Sequence, residues 1–469
     1  MKTIKYPRKD AEYEEIWSQN TLDKLTSLFF EWQQGPGAFG GLILHSCWGE
    51  ISVLARRYQG QGAGKYYYLM DGARQLYEHT GNPRWKRLTD DMCSNNLFLQ
   101  NPDGGFRHSA AEFEPAYHSH HSCAIHQNMP VLALLDYAAW KHADPILRDM
   151  IKPAVDRSWE YFHKRFVYGG REHLPKTDPE IRWSGVTNQD LTVIAGLARY
   201  GEVYGDFSRY EKHGRPALDL YLSPLYYYKD IGQFERGDGY NFTERTIYYY
   251  HVLDMLERIY KIVGGEHILA VMDNVCKYLF NTIFTAKDGL SHLMYGAKTD
   301  PDDKSYVVEW IKTPNMVALY PVMIYHMQNY LLRHPDSKKQ AQTKNLRKTL
   351  SAYMFSDGTL PPAVFTPEPI LSVAYASAYF EVFWPMLIRD LGDKVRDPEI
   401  KPIPCTHRIA KNVTWKSRGK LWTIEKDGVR AFGGYKPLAY GVTHGPEEKP
   451  ADGGYDSLED CEILEILEN

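Results

Sequence analysis

Nine carboxylates stand in stretches otherwise rich in Gly, Pro, His, Arg and aromatic residues: Glu112, Glu114, Glu172, Asp190, Glu235, Asp238, Glu244, Glu309 and Glu368. Two such groups facing one bond can do acid/base work, one raised in pKa to donate a proton and one kept ionised. Asp190 is the first choice, because it opens the apolar-periodic run Leu191–Tyr204. A carboxylate in a first helical turn is favoured by the helix dipole and stays charged, which suits a base. The same position equally describes a plain capping Asp. Glu112 and Glu114 are interleaved with aromatics, where a desolvated carboxyl becomes an acid; Glu244, opening the run to Val263, is the alternative. Taken singly, each Glu reads more readily as a surface charge than as a catalyst.

The densest cluster is Tyr117-His118-Ser119-His120-His121, followed by His126 and Asn128. A helical metal pair prefers a spacing of three or four, and His121 and His126 are five apart. The reading favoured is therefore no metal, with His118, His120 and His126 as hydrogen-bond donors to substrate and His121 available for proton transfer. The alternative is that these imidazoles cap a helix and satisfy neighbouring carbonyls. Arg107, Arg171, Arg182, Arg236 and Arg245 fall in similar stretches. Arg takes a carboxylate in a bidentate fork, so as a group they point to an anionic substrate, whereas singly each reads as a structural ion pair. Trp183, Tyr240 and Trp310 are candidates for stacking on an amphipathic ring, with Trp310 equally readable as core, and Asn188 joins the polar set.

These groups lie far apart in the chain, so some scaffold must gather them. Up to about residue 395 most of the sequence has helical periodicity, as in Tyr67–Tyr77, Val131–Trp140, Leu191–Tyr204, Val252–Val263 and Met316–Tyr330. Short breaks punctuate it at Thr80-Gly81-Asn82-Pro83, His142-Ala143-Asp144-Pro145, Tyr204-Gly205-Asp206, Gly264-Gly265-Glu266 and Arg333-His334-Pro335-Asp336. Gly ends a helix in the left-handed region and Asn or Asp before Pro starts the next. The breaks recur roughly every 60–70 residues, two helices apart, the mark of stacked helical hairpins. Longer segments (98–120, 167–188, 225–242, 286–313 and 355–369), expected to be irregular, alternate with them and must share the opposite rim. Further helices are expected over Ala11–Gln34, Cys47–Arg57 and Ser372–Leu391. Twelve or so helices suffice for six hairpins closed into a ring. Beyond Pro404, Thr414–Lys416, Leu421–Ile424 and Val429–Phe432 alternate like strands around Gly-containing turns, predicting a small antiparallel sheet.

Composition narrows the partners. Lys and Arg number 55 against 59 Asp and Glu, a net charge of −4, which offers no polyanion-binding surface and argues against nucleic acid. The longest apolar runs fall well short of the ~20 residues that span a bilayer. Met1–Asp10 is basic without an apolar core, so no secretory leader is expected and the location expected is cytoplasmic. Six scattered cysteines without a paired motif read as reduced thiols. The 35 Tyr and 11 Trp suit surfaces that meet something flat and wet, as sugars are, although most must pad helix interfaces.

This pattern resembles the (α/α)6 toroid of carbohydrate-active enzymes, closest to the unsaturated glucuronyl hydrolases and the β-glucuronidase-like proteins of glycoside hydrolase family 154. The resemblance rests on Pro102-Asp103-Gly104-Gly105-Phe106-Arg107, on Asn188-Gln189-Asp190-Leu191 and on the His/Tyr-rich segment between them, and spans residues 10–395 in architecture. It implies an all-α toroid, taken as residues 1–400; the sequence itself adds a small antiparallel β appendage and an acidic tail over 401–469, the tail being a surface element or a homodimer contact. The implied activity is hydrolytic removal of a terminal uronic acid from an oligosaccharide or polysaccharide, without cofactor, by Asp190 paired with Glu112 or Glu244. The runner-up is a polysaccharide lyase acting by His/Tyr β-elimination with help from Asn128 or Asn241; a sugar-binding scaffold and an epimerase are further alternatives.

Overall fold

The computed structural model describes residues 9–435, apart from 32, 36–37, 40–42, 48–49, 54–65, 107–123, 164–182, 238–242, 301, 304–305, 315–316, 355–357, 359, 361–370, 373–379, 403, 409–412, 419–420 and 427. Its helices are α1 (Gln19–Glu31), α2 (Tyr66–Thr80), α3 (Pro83–Phe98), α4 (Ala124–Ala138), α5 (Pro145–His163), α6 (Thr187–Tyr204), α7 (Arg215–Tyr221), α8 (Tyr249–Val263), α9 (Glu266–Asn281), α10 (Tyr320–Arg333), α11 (Ser337–Tyr353) and α12 (Phe380–Leu391).

The even-numbered helices form the inner ring. Each packs on the next, α2 on α4, α4 on α6, α6 on α8, α8 on α10, α10 on α12, and α12 back on α2. Each odd-numbered helix lies outside against its inner neighbour, α1 joining α12 to complete the sixth hairpin. This is the (α/α)6 toroid that the spacing predicted. A helix walled in on most sides must be apolar nearly all round, and α6 is buried without a break from Thr187 to Ala198. Closure joins the two ends of the chain. Trp384 of α12 stacks on Phe29 at 5.1 Å and its indole N–H donates to Thr26 Oγ1 of α1 at 3.0 Å. A Cβ at Gly72 of α2 would lie 2.4 Å from the Trp384 ring, so the indole occupies the space that glycine leaves.

The hairpin turns follow local chemistry. Gly81, with φ +65, ends α2, and the Asn82 side chain accepts from the Arg84 amide to start α3 at Pro83. Asp144 Oδ1 accepts from the Ile146 and Leu147 amides at the head of α5. Gly205 and Gly264 both have φ +71 where α6 and α8 end, and Asp336 caps α11 through Lys339 N. These short turns share one rim, so the long connections meet at the N-terminal ends of the inner helices.

Several expectations need correction. Where Cys47–Arg57 was expected to be a helix, its described residues are strand: Ile43–Cys47 pairs antiparallel with Glu50–Val53, and Leu371–Ser372 adds a third strand. The helix expected from Ala11 begins at Gln19, where Ser18 Oγ accepts from Thr21 N; of the helix expected over Ser372–Leu391, Ser372 is strand and Phe380–Leu391 is helix. The segment 286–313, read as irregular, contributes Ser291–Thr299 and Val307–Pro314 to a three-stranded sheet with Ile283–Thr285. The C-terminal sheet is present as four antiparallel strands, Cys405–Arg408, Val413–Arg418, Leu421–Lys426 and Val429–Tyr435. The acidic tail lies outside the described residues. No helix among the described residues is long and apolar enough to cross a membrane.

Candidate active site

Asp190 lies in the first turn of α6, three residues inside a helix that begins at Thr187. Its carboxylate turns back onto the preceding chain. Oδ1 accepts from Ser184 N at 2.8 Å and from the Ser184 hydroxyl; Oδ2 accepts from Trp183 N at 3.1 Å, Gly185 N at 3.3 Å and Tyr221 OH at 2.7 Å. Burial raises its pKa while these donors act against the rise. Five donors to two oxygens leave little capacity for a substrate. Asp190 thus fixes the turn 183–186 and ties α6 to α7.

A strand-like segment beside that turn carries the more open chemistry. Thr187 N donates to Arg236 O at 3.2 Å and Thr187 Oγ1 to Glu235 O at 2.7 Å, hanging residues 233–237 on the head of α6. The same segment reaches α8, for Glu244 N donates to Phe234 O at 2.7 Å and Phe234 N to Tyr249 OH at 2.9 Å. Glu244 therefore does not open the helix as expected; it precedes the 3-10 turn Thr246–Tyr248 that leads into α8. It is fully buried, and Oε1 accepts from Arg236 Nη1 at 2.9 Å and from Arg245 N at 3.1 Å. Oε2 is buried without a hydrogen-bond partner among the described residues. Burial pushes the Glu244 pKa up to about 7 even though Arg236 and Arg245 pull it down. A carboxyl in that state carries its proton on an unpartnered oxygen near neutral pH.

Arg236 links the groups. Its Nη1 also donates to Asn188 Oδ1 at 3.2 Å, and the guanidinium lies 4.1 Å over the Tyr248 ring. Arg245 is exposed, 5.3 Å over Tyr295. Asn188, Arg236, Glu244 and Arg245 are thus gathered at the N-terminal ends of α6 and α8. Trp183 is not available for stacking: it is 1% exposed and meets Trp159 edge-on. Its position just before α6 puts the indole into the wall between α5 and α6. Trp310 is half-buried on the 307–314 strand and stacks on Tyr278 at 6.0 Å, within reach of the core. Arg107, Glu112, His118, His120, His121, Arg182 and Tyr240 lie outside the described residues, as does the side chain of His126. The Asp103–Phe106 turn leading toward them is held by Gln127 of α4, which exchanges two hydrogen bonds with the Phe106 backbone at 2.7 and 2.8 Å.

The sequence reading missed His251, one turn into α8. Its Nε2 lies 2.7 Å from Thr192 Oγ1 of α6, and Nδ1 is buried without a partner among the described residues. Burial lowers its pKa to about 4, so the ring is neutral. Nothing marks it in sequence, since a single His among apolar helical residues usually belongs to the core. The one group of three potential metal ligands among the described residues lies on α8 and α10 and does not include these groups.

Gly237 permits the close approach of the two segments. It has φ +146, pairs with Val186, and a Cβ there would fall 2.1 Å from Gly185 O. Gly237→Ala is expected to cost about 2 kcal/mol or more, from backbone strain and displacement of the segment. A denaturant titration with an unchanged midpoint would refute this.

No family profile matches the sequence, and no curated protein matches it. Among solved structures, cellobiose 2-epimerase from Bacillus thermoamylovorans B4167 is similar over 80% of this chain and 99% of its own, at 10% identity and a TM-score of 0.54. A D-mannose isomerase matches over 81% and 100% at 12% identity, TM-score 0.54, and an unsaturated glucuronyl hydrolase specific for heparin over 82% and 99% at 10% identity, TM-score 0.50. At such identities the likeness establishes the fold.

Proposed function

We propose that this toroid is a carbohydrate-active enzyme, a glycoside hydrolase that removes a terminal uronic acid from an oligosaccharide or polysaccharide. The observation that carries the reading is Glu244: a buried carboxyl, protonated near neutrality, with one oxygen unpartnered beside two guanidiniums. Protonating a glycosidic oxygen requires a carboxyl of that kind. Arg236 and Arg245 supply positive charge for a sugar carboxylate, and Tyr248 and Tyr295 give flat faces beside them. Asp190 serves as a positioning residue, holding the turn that carries Ser184 and Gly185 against Gly237. The second carboxylate is sought in Glu112, placed among aromatics in the sequence, or in Glu235, which is buried on the same segment.

Digestion of oligosaccharides ending in a uronic acid, beside their neutral counterparts, tests the reading. Release of a free uronic acid without a new ultraviolet-absorbing double bond is expected, with the neutral series cleaved at least ~10-fold less, as for loss of one charged contact. An unsaturated product would make the protein a lyase instead. A second reading, epimerisation of a sugar at the same rim, is favoured by His251, a neutral imidazole with an unpartnered nitrogen suited to moving a proton. Mass-neutral conversion of a free sugar would establish it and displace the first.

A further inference from the structure

Lower in the ring, toward the rim of the short turns, the inner helices enclose a cavity of about 510 Å³. Five cationic side chains line it, and most are already committed. Asp136 receives Arg258 and Arg199 at 2.8 Å and Arg74 at 3.8 Å; Asp71 receives Arg74 at 2.9 Å and also Arg389. Asp254 forms a close ion pair with none of them among the described residues, Arg258 and Arg389 acting on it only at longer range. It is 4% exposed, its one hydrogen bond comes from Tyr67 OH at 2.7 Å, and no cationic nitrogen lies within ion-pairing distance among the described residues. Glu257, one turn along the same face of α8, forms its one close ion pair among the described residues with Lys261, which is 61% exposed and free to swing into water, while Arg389 acts on it at longer range. A buried carboxylate is normally paired with a cation or bound to a metal.

The third group comes from the neighbouring helix. His326 of α10 is 2% exposed, and its Nε2 has no hydrogen-bond partner among the described residues. One donor atom each from Asp254, Glu257 and His326 lie within 4.8 Å of one another. We infer that Asp254, Glu257 and His326 form a binding site for a divalent transition-metal ion, Zn²⁺ being the best match, bridging α8 and α10.

The donor set fits that class of ion. One imidazole with two carboxylates suits Zn²⁺ better than the oxygen-only sites of Ca²⁺ or Mg²⁺. Donors about 2 Å from a tetrahedral ion sit somewhat closer together than 4.8 Å, so binding draws α8 and α10 side chains inward by a modest rotamer change. Tyr67 orients Asp254 as an outer partner orients a metal-bound carboxylate. Asp254 and Glu257 line the cavity, so a fourth position would face it and take water or a small anion.

Titration of the chelator-treated full chain with ZnCl₂ in a calorimeter tests the site without any activity assay. The wild type is expected to bind one more equivalent than His326→Gln or Glu257→Gln, whatever adventitious ions the other histidines and cysteines take. Tyr67→Phe should retain that equivalent with affinity weakened ~10–100-fold, the usual effect of losing an outer partner. A Zn²⁺-dependent rise in melting temperature should appear in the wild type and vanish in both ligand variants. Glu257 is only partly buried, so its Gln variant remains folded and decides the matter if His326→Gln does not. Equal stoichiometry and affinity in wild type and Glu257→Gln would overturn the inference.

Discussion

Glu244→Gln is expected to lower turnover of a uronic-acid-terminated oligosaccharide about 10²–10⁴-fold, the range general-acid catalysis supplies. Gln keeps the volume and can still accept from Arg236, so the ring should fold as before. A second readout separates the acid from a merely structural Glu. With a folded pKa of about 7 against an ordinary 4.5, the group's stabilising effect is fully present below pH 4.5 and lost as pH rises through about 7. The difference amounts to roughly 3 kcal/mol. In the wild type, stability should therefore decline across that window, and in Glu244→Gln this component of the slope should be absent. Wild-type activity should fall on the alkaline side of about pH 7, where the carboxyl loses the proton it donates. Retained turnover in the Gln variant would remove Glu244 from the mechanism; full turnover with a flat stability profile would also remove its raised pKa.

The ring was legible because its punctuation is local. Gly81-Asn82-Pro83 states a C-cap, an N-cap and a first helical residue within three positions, and Asp144-Pro145 nearly does the same. Elements defined by strand pairing were misread. Within Cys47–Arg57 the helical period hides the strand Glu50–Val53, whose partner Ile43–Cys47 is close by and has its other neighbour, Leu371–Ser372, more than 300 residues on. The site followed the same division. Arg236 and Glu244 were recognisable as residue types in a loop-rich stretch, eight positions apart. Which carboxylate is saturated was not, since Asp190 meets its phenol donor only through α7, and Trp183 is buried only because Trp159 lies across from it. His251 and His326 acquire meaning solely from neighbours on adjoining inner helices, which sequence spacing does not report.

The same dependence on distant partners makes Asp136→Ala the substitution expected to harm folding most. Asp136 projects from α4 into the ring and holds Arg258 of α8, Arg199 of α6 and Arg74 of α2, so one carboxylate joins four of the six inner helices. Burial alone would raise its pKa, but the three guanidiniums prevail and hold it at about 2. Its contribution is thus present above an ordinary carboxylate pKa of 3.8 and lost as pH falls through about 2. That shift corresponds to roughly 2 kcal/mol. Removing the group costs more, because Arg258 then loses its ion partner in the cavity, while Arg74 and Arg199 keep Asp71 and Glu202; about 3–5 kcal/mol is expected. Asp136→Asn, which keeps one acceptor, should fall between the two. Chemical denaturation at neutral pH and again near pH 3 checks both parts: the wild-type advantage over Asp136→Ala should shrink on acidification. An advantage below ~1 kcal/mol at neutral pH would mean that Asp71, already paired with Arg74, and Glu202, already paired with Arg199, hold the arginines without Asp136, and that the ring is held by apolar packing.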